Sequence, residues 1–159
     1  MGPLGQMLKP LGLLEVEEAR QIYAEQARAL SEAGVDVLVI ETQFDINEAT
    51  AAVQGARAVC DTPILCSFSY DRGVKTMMGT SPTKMAQALA AYNLAALGIN
   101  CGKSLQDNLA CLKELRQATK LPIWFKPNAG LPEVDEMGNA VYSTTPADMG
   151  NQVAEWIQE

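Results

Sequence analysis

Residues 34–42 read Gly-Val-Asp-Val-Leu-Val-Ile-Glu-Thr, a β-branched run closed by a carboxylate and a hydroxyl. The run 35–40 predicts a short strand of the kind buried in a parallel sheet. Upstream, residues 15–33 carry Ile22, Tyr23, Leu30 and Ala33 on one helical face and stop at Gly34, a residue suited to the position after a helix. Downstream, Asp45 with Glu48 is spaced as a capping box, and Ala49, Val53, Ala56 and Cys60 follow on one face.

The same alternation continues to the end of the chain. Residues 63–68 predict a strand, Ser81-Pro82 opens a helix through Met85 and Leu89, and 96–100 predict another strand. Ser104 caps a helix with Leu105, Leu109, Leu112 and Leu115, and 121–125 predict a fourth strand. Residues 129–144 read as one long loop before Thr145-Pro146 opens a last helix with Met149, Val153, Trp156 and Ile157. Helix and strand in turn, at the spacing of βα units, give an α/β protein with a parallel sheet.

Composition narrows the chemistry. Twelve Lys and Arg against 19 Asp and Glu leave a net charge of -7, which disfavours nucleic acid and anionic membrane as partners. The chain has no histidine, so His-activated nucleophiles, His general bases and His metal ligands are excluded. Its four cysteines, Cys60, Cys66, Cys101 and Cys111, form no CxxC pair, and reduced thiols in a cytoplasmic protein are expected. No apolar run approaches the roughly 20 residues of a membrane span. Residues 1–5, Met-Gly-Pro-Leu-Gly, read as a loop at the end of a strand rather than a signal peptide.

Each predicted strand ends in residues foreign to a dry core: Glu41-Thr42, Ser67 to Asp71, Asn100-Cys101-Gly102, and Lys126 to Gly130. In parallel α/β folds these ends converge on the face that binds ligands. Glu41, Ser67, Ser69, Asn100, Cys101 and Asn128 are therefore expected near one another. Each also has a purely structural reading. Glu41 could accept hydrogen bonds from the following loop, Cys101 could be a small buried residue, and the asparagines could serve turns. Cys66, one residue from Ser67, is expected on the opposite face. Cys60 and Cys111 fall in helices, as packing residues.

Taken in order, several motifs carry a resemblance. They are Gly2-Pro3-Leu4-Gly5, Gly34-Val35-Asp36 leading to Ile40-Glu41-Thr42, Ser67 to Asp71, Gly79-Thr80-Ser81-Pro82, Gly98-Ile99-Asn100-Cys101, and Pro127-Asn128-Ala129-Gly130 with Tyr142 and Thr145-Pro146 after it. The set resembles the zinc-dependent homocysteine S-methyltransferases, the barrel found in cobalamin-dependent methionine synthase and in the betaine and S-methylmethionine enzymes. The resemblance implies a (βα)8 barrel in which three cysteine thiolates hold zinc and the homocysteine sulfur takes the open position, ready to attack a methyl group and give methionine. Cys101 matches the first zinc ligand and Glu41 the carboxylate that receives the homocysteine ammonium. Asn128 matches the asparagine that lines the site after the strand proline, Asn100 stands beside the first ligand, and Ser67 is expected with them around the substrate.

The resemblance also implies what this chain lacks. The family's other two ligands lie in a Gly-Gly-Cys-Cys-Gly motif on the last barrel strand, and a glycine-rich segment with the first strands precedes the Gly-Pro-x-Gly motif. The 159 residues, against about 250 for a whole barrel, are thus expected to form a single partial homocysteine-binding barrel, lacking the first strands and the last strand. One thiolate does not make a zinc site, so this chain alone is expected to bind zinc weakly or not at all and to be inactive. Self-association through open sheet edges, or completion by another segment, follows from the same reading. The alternative is a non-catalytic truncated barrel that serves as a binding or assembly module. The residues do not name the methyl donor: methylcobalamin on other domains, betaine and S-methylmethionine all fit.

Overall fold

A computed structural model describes residues 1–158. In chain order the described elements are α1 (Val16–Glu32), β1 (Leu38–Gln43), α2 (Ile46–Arg57), β2 (Ile64–Phe68), α3 (Pro82–Leu89) and β3 (Ala96–Cys101). They continue with α4 (Leu105–Ala118), β4 (Ile123–Pro127), β5 (Glu133–Val134), β6 (Ala140–Val141) and α5 (Pro146–Trp156). The first four strands pair in parallel in the order β1-β2-β3-β4, and a helix fills each connection. Sequential neighbours of this kind wind as a barrel does, without the reversal of a doubly wound sheet. The architecture is a partial barrel.

The two outer strands begin later than periodicity predicts, and proline is the reason. The Leu38 N–H donates to Pro63 O at 2.8 Å and Leu38 pairs with Ile64, so the ladder stops at a partner residue that has no N–H. Val35 and Val37 are left exposed before the strand. Pro122 ends the β3–β4 ladder in the same way, taking the Leu97 N–H at 3.2 Å. At their C-terminal ends both strands run further than expected, to Gln43 and Pro127.

Side-chain direction sorts the sheet into two faces. Leu38, Ile40, Ile64, Cys66, Phe68, Leu97 and Ile99 pack against Tyr23, Val53, Met85, Leu112 and Leu115 in the core between sheet and helices. Alternation sends Val39, Glu41, Ser67, Gly98, Trp124 and Lys126 to the other face. Gly98 is required there, because a Cβ would lie 2.6 Å from the Trp124 carbonyl and 2.8 Å from Ser67 Cβ. In α1 the buried stripe is Ala19, Tyr23 and Ala27, spaced by four, whereas Ile22 is turned outward.

Ser81, Ser104 and Thr145 cap α3, α4 and α5 as the sequence predicts, Thr145 with Asp148 in a complete capping box. The pair Asp45 and Glu48 behaves differently. Asp45 accepts from the Asn47 N–H, while Glu48 turns inward and is buried. Its Oε1 accepts from the Leu4 N–H at 2.7 Å and lies 2.9 Å from the Tyr23 hydroxyl, which is also 2.9 Å from Gly2 O. This carboxyl ties the Gly-Pro-Leu-Gly loop to both α1 and α2. Just before that loop, Met1 flanks β1 in a parallel pattern, its ammonium donating to Val39 O and its carbonyl accepting from Glu41 N. Residues 129–144 are not plain loop, for β5 and β6 form a hairpin whose turn is held by Asp135, accepting from Met137 N and Asn139 N.

Burial pushes the Tyr23 phenol up, so its hydroxyl stays a neutral hydrogen-bonding group. Tyr23→Phe leaves the Glu48 carboxyl short of a buried partner and is expected to cost about 1–3 kcal/mol. Urea unfolding should show a lower midpoint with an unchanged slope.

Candidate functional site

The site begins with an irregularity in β1. Ile40 pairs with Cys66 and Gln43 with Phe68, so β1 holds one residue more than β2 over this stretch, a β-bulge. Within it Thr42 has φ +64, rare for a β-branched residue. The bulge lets Glu41 face away from the helices while Gln43, two residues on, is fully buried beside Tyr23. It also frees the Thr42 N–H from the ladder.

Asn100, at the end of β3, takes that N–H. Its Oδ1 accepts from Thr42 N at 2.9 Å and from Ser67 Oγ at 2.6 Å. A backbone N–H can only donate, so the orientation of the amide is fixed and Nδ2 must point the other way. Nδ2 donates to Thr42 Oγ1 at 2.9 Å and to Cys101 Sγ at 3.2 Å. Asn100 and Ser67 are both buried, and each has its partners within the protein. They form the floor on which Cys101 sits.

Cys101 is half-buried and also left-handed, with φ +58. Its carbonyl accepts from Asn128 N and from Asn108 Nδ2, both at 2.9 Å. Asn128 also reaches Gly102 O through Nδ2 at 3.4 Å, and its side chain is exposed. Ser69 is joined to this end of the sheet through its N–H, which donates to Gln43 O.

Glu41 meets Lys126 of β4 across the open face, Oε2 to Nζ at 3.0 Å. Their side chains are 36% and 58% exposed, so the pair contributes only about 0–1 kcal/mol and exchanges readily. The Lys126 ammonium rests on the Glu41 carboxylate.

The structure thus brings Ser67, Asn100, Cys101 and Asn128 into one hydrogen-bonded cluster, with Glu41 on the same face and Ser69 at its rim. Sequence reasoning passed over Thr42, Lys126 and Asn108 as members. Thr42 and Lys126 carry a weak signal, as polar residues at strand ends. Asn108 carries none, since it reads as an ordinary helix residue. Cys66 lies in the helix-side core, where burial pushes its thiol up to about 12. Burial, aided by Glu114 and Asp107, does the same to Cys111, also to about 12. Cys101 is therefore the thiol that this face presents. No group of three or more His, Cys, Asp or Glu side chains that could hold a metal occurs among the described residues, so these residues by themselves do not fit a zinc ion.

Comparison with known proteins bears on the whole chain. A family model described as homocysteine S-methyltransferase matches residues 1–159. Methionine synthase of Mycobacterium leprae (strain TN) is 27% identical over all of this chain, which spans 13% of that protein. Methionine synthase of Mycobacterium tuberculosis is likewise 27% identical, with 14% of its length spanned. Among solved structures, the apo form of the homocysteine methyltransferase MmuM from Escherichia coli superposes with a TM-score of 0.72 at 28% identity, covering 97% of this chain and 61% of MmuM. The metallated form of MmuM gives a TM-score of 0.69 at 28% identity, over 90% of this chain and 53% of MmuM.

Replacing Asn100 with Ala strips partners from Ser67, the Thr42 N–H and the Cys101 thiol together. It is expected to destabilise the chain by about 2–4 kcal/mol, more than Ser67→Ala, as read by denaturant unfolding. With iodoacetamide at neutral pH, peptide mass spectrometry should find Cys101 modified while Cys66 and Cys111, whose thiols stay protonated, resist until the chain unfolds.

Proposed function

This chain belongs to the homocysteine S-methyltransferase family, and from that membership we propose that it supplies the homocysteine-binding face of a methyltransferase barrel. The observation that carries the reading is the Glu41–Lys126 pair above the Asn100–Cys101 floor, a carboxylate that already holds an ammonium on the face that presents the thiol. In this reading the homocysteine ammonium takes the place of the Lys126 ammonium on Glu41, a charge-assisted contact. The exposed Asn128 amide borders the substrate, and Ser67 and Asn100 act from below by holding the thiol and Thr42. The reaction of the complete barrel forms a bond between the homocysteine sulfur and a methyl carbon while the methyl bond to its donor breaks, giving methionine.

Zinc would activate the homocysteine sulfur in such a barrel, and Cys101 would be one of its ligands. With one thiol on this face, the donor set is short of the three that an open zinc site needs, so the proposed part of this chain is to bind and orient. A second reading, an assembly module without catalysis, is favoured by the cleft between β4 and α5. There Trp124, Phe125, Met149, Val153 and Ile157 line an open apolar wall that another segment could cover. Four unpaired thiols suit a cytoplasmic setting for either reading.

The test is to join this chain to the flanking barrel segments of a family member, including two adjacent cysteines on the last strand. L-homocysteine is then supplied with betaine, S-methylmethionine or methylcobalamin. Methionine should form with one donor, and Glu41→Gln should raise the KM for homocysteine about tenfold or more with a smaller effect on kcat. A folded hybrid that makes no methionine from any donor would sink the enzymatic reading.

A further inference from the structure

A strand residue beside Asn100 should point into the helix layer, as Leu97 and Ile99 do. Cys101 does not follow this alternation, because its sulfur lies 3.2 Å from the side-chain amide of the residue before it. Two side chains adjacent in an extended strand stand on opposite faces and cannot meet so closely. The left-handed backbone at Cys101, φ +58, brings them together, and Gly102 follows at φ +79. An L-residue avoids this region by a population factor of about ten or more, so something must hold it there.

We propose that Asn108, a residue of α4 that sequence reading left unremarked, is the positioning residue for the Cys101 thiol. It lies in the first turns of α4, is 1% exposed, and donates from Nδ2 to the Cys101 carbonyl at 2.9 Å. Its amide also fills the space beside Gly102, where a Cβ would fall 2.3 Å from Asn108 Oδ1 and 2.6 Å from Nδ2. The turn therefore needs glycine at 102 and an amide donor at 108 together. Asn108 Oδ1 is buried without a hydrogen-bond partner among the described residues. A role in packing alone would favour an apolar side chain of the same size over an amide with an unmet acceptor. The donor is what the position retains. Asn128 N meets the same carbonyl, but it is a backbone group just past the end of β4 and comes with the sheet.

The proposal rests on reading Cys101 as the thiol of the site, yet its test needs neither substrate nor metal. Asn108→Leu keeps the number and branching of the heavy atoms and removes the donor, and Asn108→Ala removes both. In the 159-residue chain, iodoacetamide labelling of Cys101 should slow about tenfold in each variant as the residue relaxes to extended backbone and the sulfur turns toward the helices. The three-bond H–N–Hα coupling of Cys101 should move to the extended value. A merely structural role predicts the opposite sign, since a loosened fold labels faster. Unchanged labelling in a folded Asn108→Leu chain, or faster labelling at all four cysteines, would overturn the proposal. Slowed labelling together with a methyltransferase-inactive hybrid would fault the functional reading and leave this one standing.

Discussion

The side-chain amide of Asn100 is the interaction on which the rest of the site depends. It joins the bulge of β1 to the end of β3, across the intervening β2, and touches Ser67 of that middle strand on the way. Thr42 and Cys101, the two non-glycine residues with positive φ among those described, both contact it. Conformations of this kind persist only where the surroundings over-determine them. One buried amide with every partner in place supplies that constraint at Thr42 and shares it with Asn108 at Cys101, and low local polarity strengthens each of its bonds.

The bulge at Thr42 has a consequence in two directions. Strand side chains alternate, so Glu41 and Gln43 would share a face in a regular strand. One extra residue separates them: Glu41 goes to the open face with Lys126, and Gln43 goes to the core with Tyr23. The same strand thus serves the site and the helix layer within three residues. Removing the bulge would bury the carboxylate or expose the glutamine, and either result strands a polar group.

What the sequence shows and what it hides divide along physical lines. Helices and strands were legible because apolar period and capping chemistry are local, and Ser81, Ser104 and Thr145 cap where expected. The opposite facing of Cys66 and Ser67 was legible for the same reason. Glu48 was not, because its capping spacing competes with a buried partner, Tyr23, that only the packing of α1 on α2 brings near. The strand starts slipped because a ladder is fixed by its neighbour, and Pro63 and Pro122 act through the partner strand. Of the site, the polar strand ends were visible, while the left-handed turns at Thr42 and Cys101 were not. Neither Thr nor Cys favours that region, so no residue preference announces it.

The two halves of the site differ in how firmly they are built, and the difference suits their parts. Asn100 and Ser67 are buried with their partners in place, so the floor beneath the thiol is insensitive to salt. The Glu41–Lys126 pair is exposed, spans 85 residues of sequence and is screened by ions, so it opens at little cost. Under the proposed function, the charged anchor for the substrate has to exchange while the thiol side stays fixed. Lys126 of the same sheet holds the Glu41 carboxylate at the position that the proposal gives to a substrate ammonium. The Glu41–Lys126 pair is loose because it faces water, and the thiol is held because the amide and hydroxyl beneath it, Asn100 and Ser67, do not.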